Sequence, residues 1–396
     1  MEILQKLFES SGFAGDTSLA WQNIVMFIIG GVLITLAVKK NFEPLLLIPI
    51  GFGAILANLP GAEMSAYSEA TDGGKWPLLG FVYKTAISKA ELLPPIIFMG
   101  VGALTDFRPL LNRPITFLLG AAAQLGIFIA ALGAFYIFRD MLDIKIQHAA
   151  AIGIIGGADG PTTIYLTSKL VPNDKGFLGA VAVAAYSYMA LVPVIQPPII
   201  RLLTTQKERE IDMPQARSVS TTAVLVFPVA TCIVTILFIP ASGPLIGMLM
   251  FGNLIRESGV TQRLSSTASG PLINIVTIFL GLVVGATMEG TGFLQGRTLA
   301  ILALGLVAFC FSTAGGVLFA KLLNIFLSGD KKINPCIGAA GVSAVPMAAR
   351  VVQSFVSKET DGRVNPLMAA MGPNVAGVIG SAVSAGVFLS LIEALP

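Results

Sequence analysis

Charge is scarce in this sequence. Asp, Glu, Lys and Arg make up 12% of its 396 residues, about half the share of an ordinary soluble chain. Too few ionisable groups are present to cover a soluble surface of that size. The net charge of +3 excludes a strongly polyanionic partner such as nucleic acid. Histidine occurs once, at His148, which excludes a multi-histidine metal centre. The three cysteines, Cys232, Cys310 and Cys336, lie in apolar runs with neither metal-ligand spacing nor a disulfide framework. Hydrophobic residues make up 55%, and the mean hydropathy is +0.82. The class that remains is an all-α polytopic membrane protein in a lipid bilayer.

Spans of about 20 apolar residues, shorter where broken or buried, are expected at 19–38, 43–59, 90–104, 115–138, 146–170, 177–199, 220–239, 243–256, 270–288, 297–324, 333–354 and 364–394. Residues 1–18 are amphipathic, lack the pattern of a signal peptide, and are assigned to the interface. Gln196-Pro197-Pro198 reads as a helix end. Residues 201–218 form a polar cytoplasmic linker between membrane repeat 1 (19–200) and membrane repeat 2 (219–396). If 146–170 and 333–354 are hairpins that leave on the face they came from, five basic clusters fall on one side, as cytoplasmic loops require. These are Lys39-Lys40, Arg108/Arg113, Arg201–Arg217, Arg256/Arg263 and Lys321/Lys331/Lys332. The loop 60–88 then lies outside.

The halves echo each other. Pro44–Gly53 parallels Pro244–Gly252, Gly102–Asp106 parallels Gly285–Glu289, and Gly156–Pro161 parallels Gly341–Pro346. Five crossings and one hairpin per half would place the second half upside down. Inverted-topology repeats with broken helices meeting at the midplane are the build of many ion-coupled transporters.

The chemistry centres on Asp159, in Gly156-Gly-Ala-Asp-Gly-Pro-Thr162. A carboxylate at membrane depth costs about 2.5–3.5 kcal/mol on insertion scales, and the glycines and proline beside it break the helix and free backbone carbonyls. Sodium, a hard cation, wants such oxygens, as calcium and magnesium do. A restart at Pro161-Thr162 would bring a helix N-terminus close by. The second hairpin, Asn334 to Arg350, offers neutral oxygens at Asn334 and Ser343. Arg350, seven residues past Ser343, is two helical turns away and could share its face; it is either a bidentate carboxylate partner or a helix-end cation. Tyr186 and Tyr188 face about 200° apart on one helix, so at most one points into a given site. Asn374 is a further polar group beside a helix break. His148 lies near the outer interface and is given no role.

The Gly156–Thr162 motif resembles the β subunits of biotin-dependent sodium-pumping decarboxylases, which act on oxaloacetate, methylmalonyl-CoA, glutaconyl-CoA or malonate. The likeness extends through Phe42–Gly53, Ile97–Phe107, Ala182–Pro193, Phe251–Gly259, Asn334–Arg350 and Met371–Gly380. It implies a sodium-translocating carboxybiotin decarboxylase of a bacterial or archaeal cytoplasmic membrane. Such a subunit releases carbon dioxide from carboxybiotin, drives sodium outward and consumes an outside proton. The resemblance implies that Asp159 is the essential intramembrane acid and Tyr188 the proton carrier. Asn334, Gly338, Ser343, Arg350 and Asn374 match the polar positions of the second half, with Thr162 and Tyr186 as secondary candidates. Gln353 departs from an Asn expected in some relatives and is left out of the site. The chain has no Met-Lys dipeptide, so biotin would be carried by another chain. The implied partners are a biotin-carrier protein or domain, a carboxyltransferase α subunit, a small γ or δ membrane subunit, and further copies of this chain. Composition and topology alone allow an alternative, a secondary sodium/proton antiporter or sodium-coupled carrier with a similar core.

Overall fold

The computed structural model describes residues 20–40, 43–69, 76–89, 91–172, 174, 176–213 and 218–394; the interfacial segment expected at 1–18 lies outside them. Every regular element among the described residues is helical. Helix α1 (Trp21–Lys40) ends in Lys39 and Lys40, where cations favour a helix C-terminus. Helix α2 (Pro44–Ala57) begins on a proline, the residue least harmed by lacking an N–H there. Leu78–Lys89 and α3 (Leu93–Leu104) form a bent pair inclined at 73°. The span expected at 115–138 is interrupted at Gln124, giving α4 (Thr116–Ala123) and α5 (Leu125–Leu142). Then follow α6 (Ile146–Gly153), α7 (Gly160–Leu170) and α8 (Phe177–Leu203). The second half contains α9 (Thr221–Phe238), α10 (Gly243–Glu257), α11 (Ile273–Ala286), α12 (Gly296–Phe326), α13 (Met347–Glu359) and α14 (Leu367–Glu393). A π-helical turn, Ala268–Leu272, leads into α11. Seven helices among the described residues are long and apolar enough to cross a membrane, or eight if the bent pair is one span.

Two expectations are corrected. Residues 78–89 are not an outer loop: they form a short α-helix running into a π-helix. Lys75 and Lys84 gave this stretch a polar look, but Leu79, Tyr83 and Ile87 recur at helical spacing and are buried. Helix α8 does not end at Gln196-Pro197-Pro198. It continues to Leu203 with Pro193, Pro197 and Pro198 inside it. The interior prolines cost hydrogen bonds, but membrane helices tolerate this where neighbours supply replacement partners.

The halves interlock through two matched glycine crossings. Helix α2 lies on α11, where a Cβ on Gly53 would stand 2.2 Å from the Leu282 carbonyl oxygen and one on Gly285 2.1 Å from that of Ile50. Helix α3 lies on α10 in the same way: a Cβ on Gly252 or Gly102 would come within 1.9 Å of the Met99 or Leu249 carbonyl oxygen, respectively. Only glycine permits backbones this close.

The two ends of segment 146–170 are drawn close together, and so are those of 333–359. His148, near the start of the first, bonds Asp174, just past its end, at 3.1 Å. Arg209 bonds both ends of the second: its carbonyl accepts from Asn334 at 2.9 Å and its guanidinium donates to Glu359 at 2.8 Å.

Candidate functional site: a carboxylate where two broken segments cross

The first broken segment runs as α6, a 3-10 turn at Ile154–Gly157, and α7. Ala158 between them is left-handed, with φ 52°, an uncommon conformation for a residue with a Cβ. That reversal leaves Asp159 as N-cap of α7, its Oδ1 accepting from the Thr162 N–H at 3.1 Å. The other oxygen accepts from the Ser343 hydroxyl at 2.8 Å and the Ser381 hydroxyl at 2.5 Å. Asp159 is 5% exposed, and no Lys, Arg or His among the described residues pairs with it.

The second broken segment meets the first through its backbone as well, the Ser343 N–H donating to the Gly157 carbonyl at 2.8 Å. Before Ser343 it is a 3-10 turn, Pro335–Gly341, which lacks the hydrogen-bond ladder of an α-helix. Side-chain amides supply the missing donors. Gln196 bonds the Ala339 carbonyl at 2.8 Å, Gln124 that of Gly341 at 3.0 Å, and Asn374 those of Ala340 and Val342 at 3.0 and 2.8 Å. The carbonyl oxygens of all three amides are buried without a partner. Buried polar atoms normally find partners, so these are three acceptors left unused by the protein's own groups among the described residues. Gln124 Oε1 lies 3.3 Å from where a Cβ on Gly157 would sit.

Of the residues singled out from sequence, Asp159, Thr162 and Ser343 come together. Asn374 supports them from behind the second segment, and its Oδ1 is one of the unpartnered oxygens. Asn334 sits at the segment's start, capping Cys336 and tied to Arg209 and Ile211. Gly338 is pressed backbone to backbone against Gly316 of α12. Neither touches Asp159. Arg350 is exposed on α13 with no ion pair among the described residues. The helical face it was expected to share with Ser343 does not exist, because α13 begins only at Met347. Pro346 disfavours helix in the residue before it. The tyrosines diverge as their spacing requires. Tyr186 packs on Gly160 beside Asp159, its hydroxyl buried and unpartnered. Tyr188 turns to α12 and donates to the Leu302 carbonyl. Sequence reasoning missed Ser381 and Gln124. Both lie in small-residue stretches of membrane helices, where a lone polar residue reads as helix packing.

A cavity of about 370 Å³ opens onto this crossing, lined by Asp159, Ser343, Tyr186, Glu43, Asn274 and Thr277 among others. Away from the cavity, burial pushes the Asp174 carboxyl up. Hydrogen bonds from His148 and Arg297, the latter at 2.6 Å, outweigh this and hold it below the ordinary carboxylate range.

The sequence profile described as "Na+-transporting oxaloacetate decarboxylase beta subunit" matches residues 22–392. Among similar proteins, the oxaloacetate decarboxylase beta chain of Klebsiella pneumoniae is 48% identical over the full length of both chains. The glutaconyl-CoA decarboxylase subunit beta of Acidaminococcus fermentans is 52% identical over 98% of this chain and 97% of that one. The methylmalonyl-CoA decarboxylase subunit beta of Veillonella parvula is 52% identical over 98% of each. A multi-pass helical chain, with an unpaired carboxylate and unpartnered oxygens at the crossing of two broken segments, thus matches these proteins almost end to end: it belongs to the family of β subunits of sodium-transporting decarboxylases.

Proposed function

We propose that Asp159 is the sodium-carrying group of this pump and that decarboxylation of carboxybiotin, delivered from the cytoplasmic side by a biotin-carrier partner, drives the ion past it. The observation that carries this reading is a buried carboxylate with three hydrogen-bond donors and no positive side chain among the described residues. A buried charge is stable only when paired. Hydroxyls of Ser343 and Ser381 and the free amide oxygens of Gln124 and Asn374 fit a hard monovalent cation, which coordinates oxygen. Sodium and carboxybiotin are here substrates, one moved and one consumed.

The architecture supporting this is a pair of inverted-topology repeats, 19–200 and 219–396, joined by the 201–218 linker and each carrying a re-entrant hairpin. Three observations favour it: the matched crossings α2–α11 and α3–α10, the two ends of each broken segment tied together at Asp174 and at Arg209, and breaks that meet at Asp159 and Ser343. The complex would contain a carboxyltransferase α subunit, the biotin carrier, a small γ or δ subunit and further copies of this chain, in a bacterial or archaeal cytoplasmic membrane. Arg350, exposed at the proposed cytoplasmic end and without an ion pair among the described residues, would hold the carboxylate of arriving carboxybiotin in its planar fork. Of the two tyrosines, Tyr186 stands at the carboxylate. Tyr188 ties α8 to α12 and would pass a proton only after releasing Leu302.

Purified complex given free carboxybiotin provides the test. Sodium-stimulated release of carbon dioxide that is lost in Asp159→Asn supports the pump. Sodium/proton exchange in vesicles with no such release would replace it with the antiporter.

A further inference from the structure

The polar linker after α8 holds one cation unlike its neighbours. A capping box at Thr205 and Glu208 starts a short helix, Gln206–Arg209, and its last residue turns inward. The side chains of Arg201 and Arg363 are 61% and 67% exposed, whereas Arg209 is 8% exposed. A guanidinium carries five N–H donors in one plane, and here each has an acceptor. Nε donates to the Thr204 hydroxyl at 3.0 Å, and Nη1 to Gln206 Oε1 at 3.5 Å and Glu359 Oε2 at 2.8 Å. Nη2 donates to the Arg201 and Thr204 carbonyls at 2.8 and 2.7 Å, which lie at the C-terminal end of α8, where carbonyls lack helical partners. The guanidinium carbon stands over the Phe355 ring of α13, 5.5 Å from its centre.

The backbone of the same residue holds the second broken segment. The Asn334 side chain donates to the Arg209 carbonyl at 2.9 Å and to that of Ile211 at 3.0 Å. Its oxygen accepts from the Cys336 N–H at 3.1 Å, which starts the 3-10 turn Pro335–Gly341. No α-helical ladder runs from Asn334 to Ser343, so the place of Ser343 depends on where the segment is anchored. Helix α8 reaches the segment at two points: through Gln196 at the Ala339 carbonyl and, by way of Arg209, at Asn334. It is also the helix that sets Tyr186 against Gly160, next to Asp159. Asn324 of α12 holds the preceding residue, Ile333, by its N–H and carbonyl at 2.8 and 2.6 Å.

We propose that Arg209 is a positioning residue for the sodium site: it fixes the Asn334 end of the second broken segment to the end of α8, and so sets where Ser343 stands relative to Asp159 and Tyr186. The proposal rests on the sodium-pump reading above and extends it to a residue of the linker that touches neither the ion nor Asp159. Lysine at this position keeps the charge, but three donors on a flexible stem cannot serve five acceptors spread over α8, the linker and α13. Because Asn324 still holds Ile333, loss of the fork displaces the segment without releasing it. Sodium affinity is therefore affected more than assembly or maximal rate.

The test compares wild type with Arg209→Lys in the purified complex containing the full chain, by sodium-dependent decarboxylation of free carboxybiotin and by amide hydrogen exchange. The half-saturating sodium concentration should rise roughly two- to tenfold, with a smaller fall in maximal rate. Exchange protection should fall in residues 334–343 and stay unchanged in 146–157. Combined with Ser343→Ala, Arg209→Lys should raise the sodium requirement by less than the product of the two single effects, because it acts through that serine. Glu359→Ala removes one acceptor of the fork and leaves Arg209 in place, so it decides the question by the same readouts if Arg209→Lys does not assemble. Protection lost evenly along the chain, or single effects that multiply in the double variant, would make Arg209 a general staple and overturn the proposal. Local loss of protection with an unchanged sodium requirement overturns it as well. Asp159→Asn keeps the two readings apart: sodium-stimulated turnover in that variant sinks the pump reading, while the exchange pattern of Arg209→Lys still shows whether Arg209 holds the segment.

Discussion

Asp159 divides its oxygens between two tasks. Oδ1 caps α7 through the Thr162 N–H, and Oδ2 takes two serine hydroxyls from other elements. Asp159→Asn keeps the shape and the cap but removes the charge. Sodium-dependent decarboxylation and sodium transport should therefore both vanish while the protein still inserts and assembles, read by carbon dioxide release and vesicle uptake. Ser381→Ala and Ser343→Ala each remove one neutral oxygen. The half-saturating sodium concentration should rise about two- to tenfold, with a smaller fall in maximal rate. An unchanged value in Ser381→Ala would make that serine a packing residue. The tyrosines part company in the same assay. Tyr186→Phe should slow turnover and alter its pH profile, because the lost hydroxyl stood beside Asp159. Tyr188→Phe should do so only if its bond to Leu302 opens during the cycle. Asp159 was legible in the sequence because a carboxylate between glycine and proline breaks in an apolar run is costly at membrane depth and marks an ion path. Ser381 was not, since Val378-Ile-Gly-Ser-Ala382 is an uninterrupted run of helix; only the third dimension puts its hydroxyl on a carboxylate 222 positions away in sequence.

At the scale of elements, the second broken segment is held by three amides rather than by a helical ladder. Gln196→Leu removes the donor to the Ala339 carbonyl and leaves that oxygen buried and unpaired, at about 1–3 kcal/mol. The expected result is a lower melting temperature together with weaker sodium activation, because Ser343 rides on the same segment. Loss of stability with unaltered sodium dependence would show that the segment does not position the site. Alternation of apolar runs with Gly-Pro breaks made both broken segments and most spans visible in the sequence. Two features escaped. The helix at 78–89 is short and carries lysine. The triple-proline stretch of α8 survives because Gln196 and its surroundings are fixed by another element, an override from tertiary contacts that no local propensity reports.

For the molecule as a whole, each broken segment has its own fastening. At the ends of the first, Asp174 gathers His148 from the segment's start and Arg297 from α12. The Nδ1 atom of His148 accepts from the Lys145 N–H, leaving Nε2 to donate to Asp174. Because the folded Asp174 carboxyl lies below its ordinary value, its stabilising contribution is complete above the unfolded pKa of about 3.9. It disappears as pH falls through the lowered folded value. Asp174→Asn should therefore lower the melting temperature by a near-constant amount from about pH 7 to pH 5, and the gap to wild type should close at pH values well below 4. A gap that persists into strong acid would assign the loss to packing. The three short parallels in order along the chain were visible in sequence. Their spatial meaning was not, because α2 packs on α1 of its own half and also on α11 of the other, and α10 on both α9 and α3.

The packing across the halves has a consequence for biosynthesis. Helix α2 presents its glycine face to α11, which leaves the ribosome only after most of the second half has been made. Until then the face of Gly53 meets lipid or a chaperone, and so does that of Gly102 on α3 until α10 arrives. The nascent first half can pair α1 with α2, α5 with α6 and α7 with α8, but its Gly53 and Gly102 faces stay unmated until the C-terminal half arrives to close the molecule. A chain stopped after residue 218 should insert and then be cleared by membrane proteolysis. Supplying residues 219–396 as a separate polypeptide should rescue it, as measured by pulse-chase lifetime.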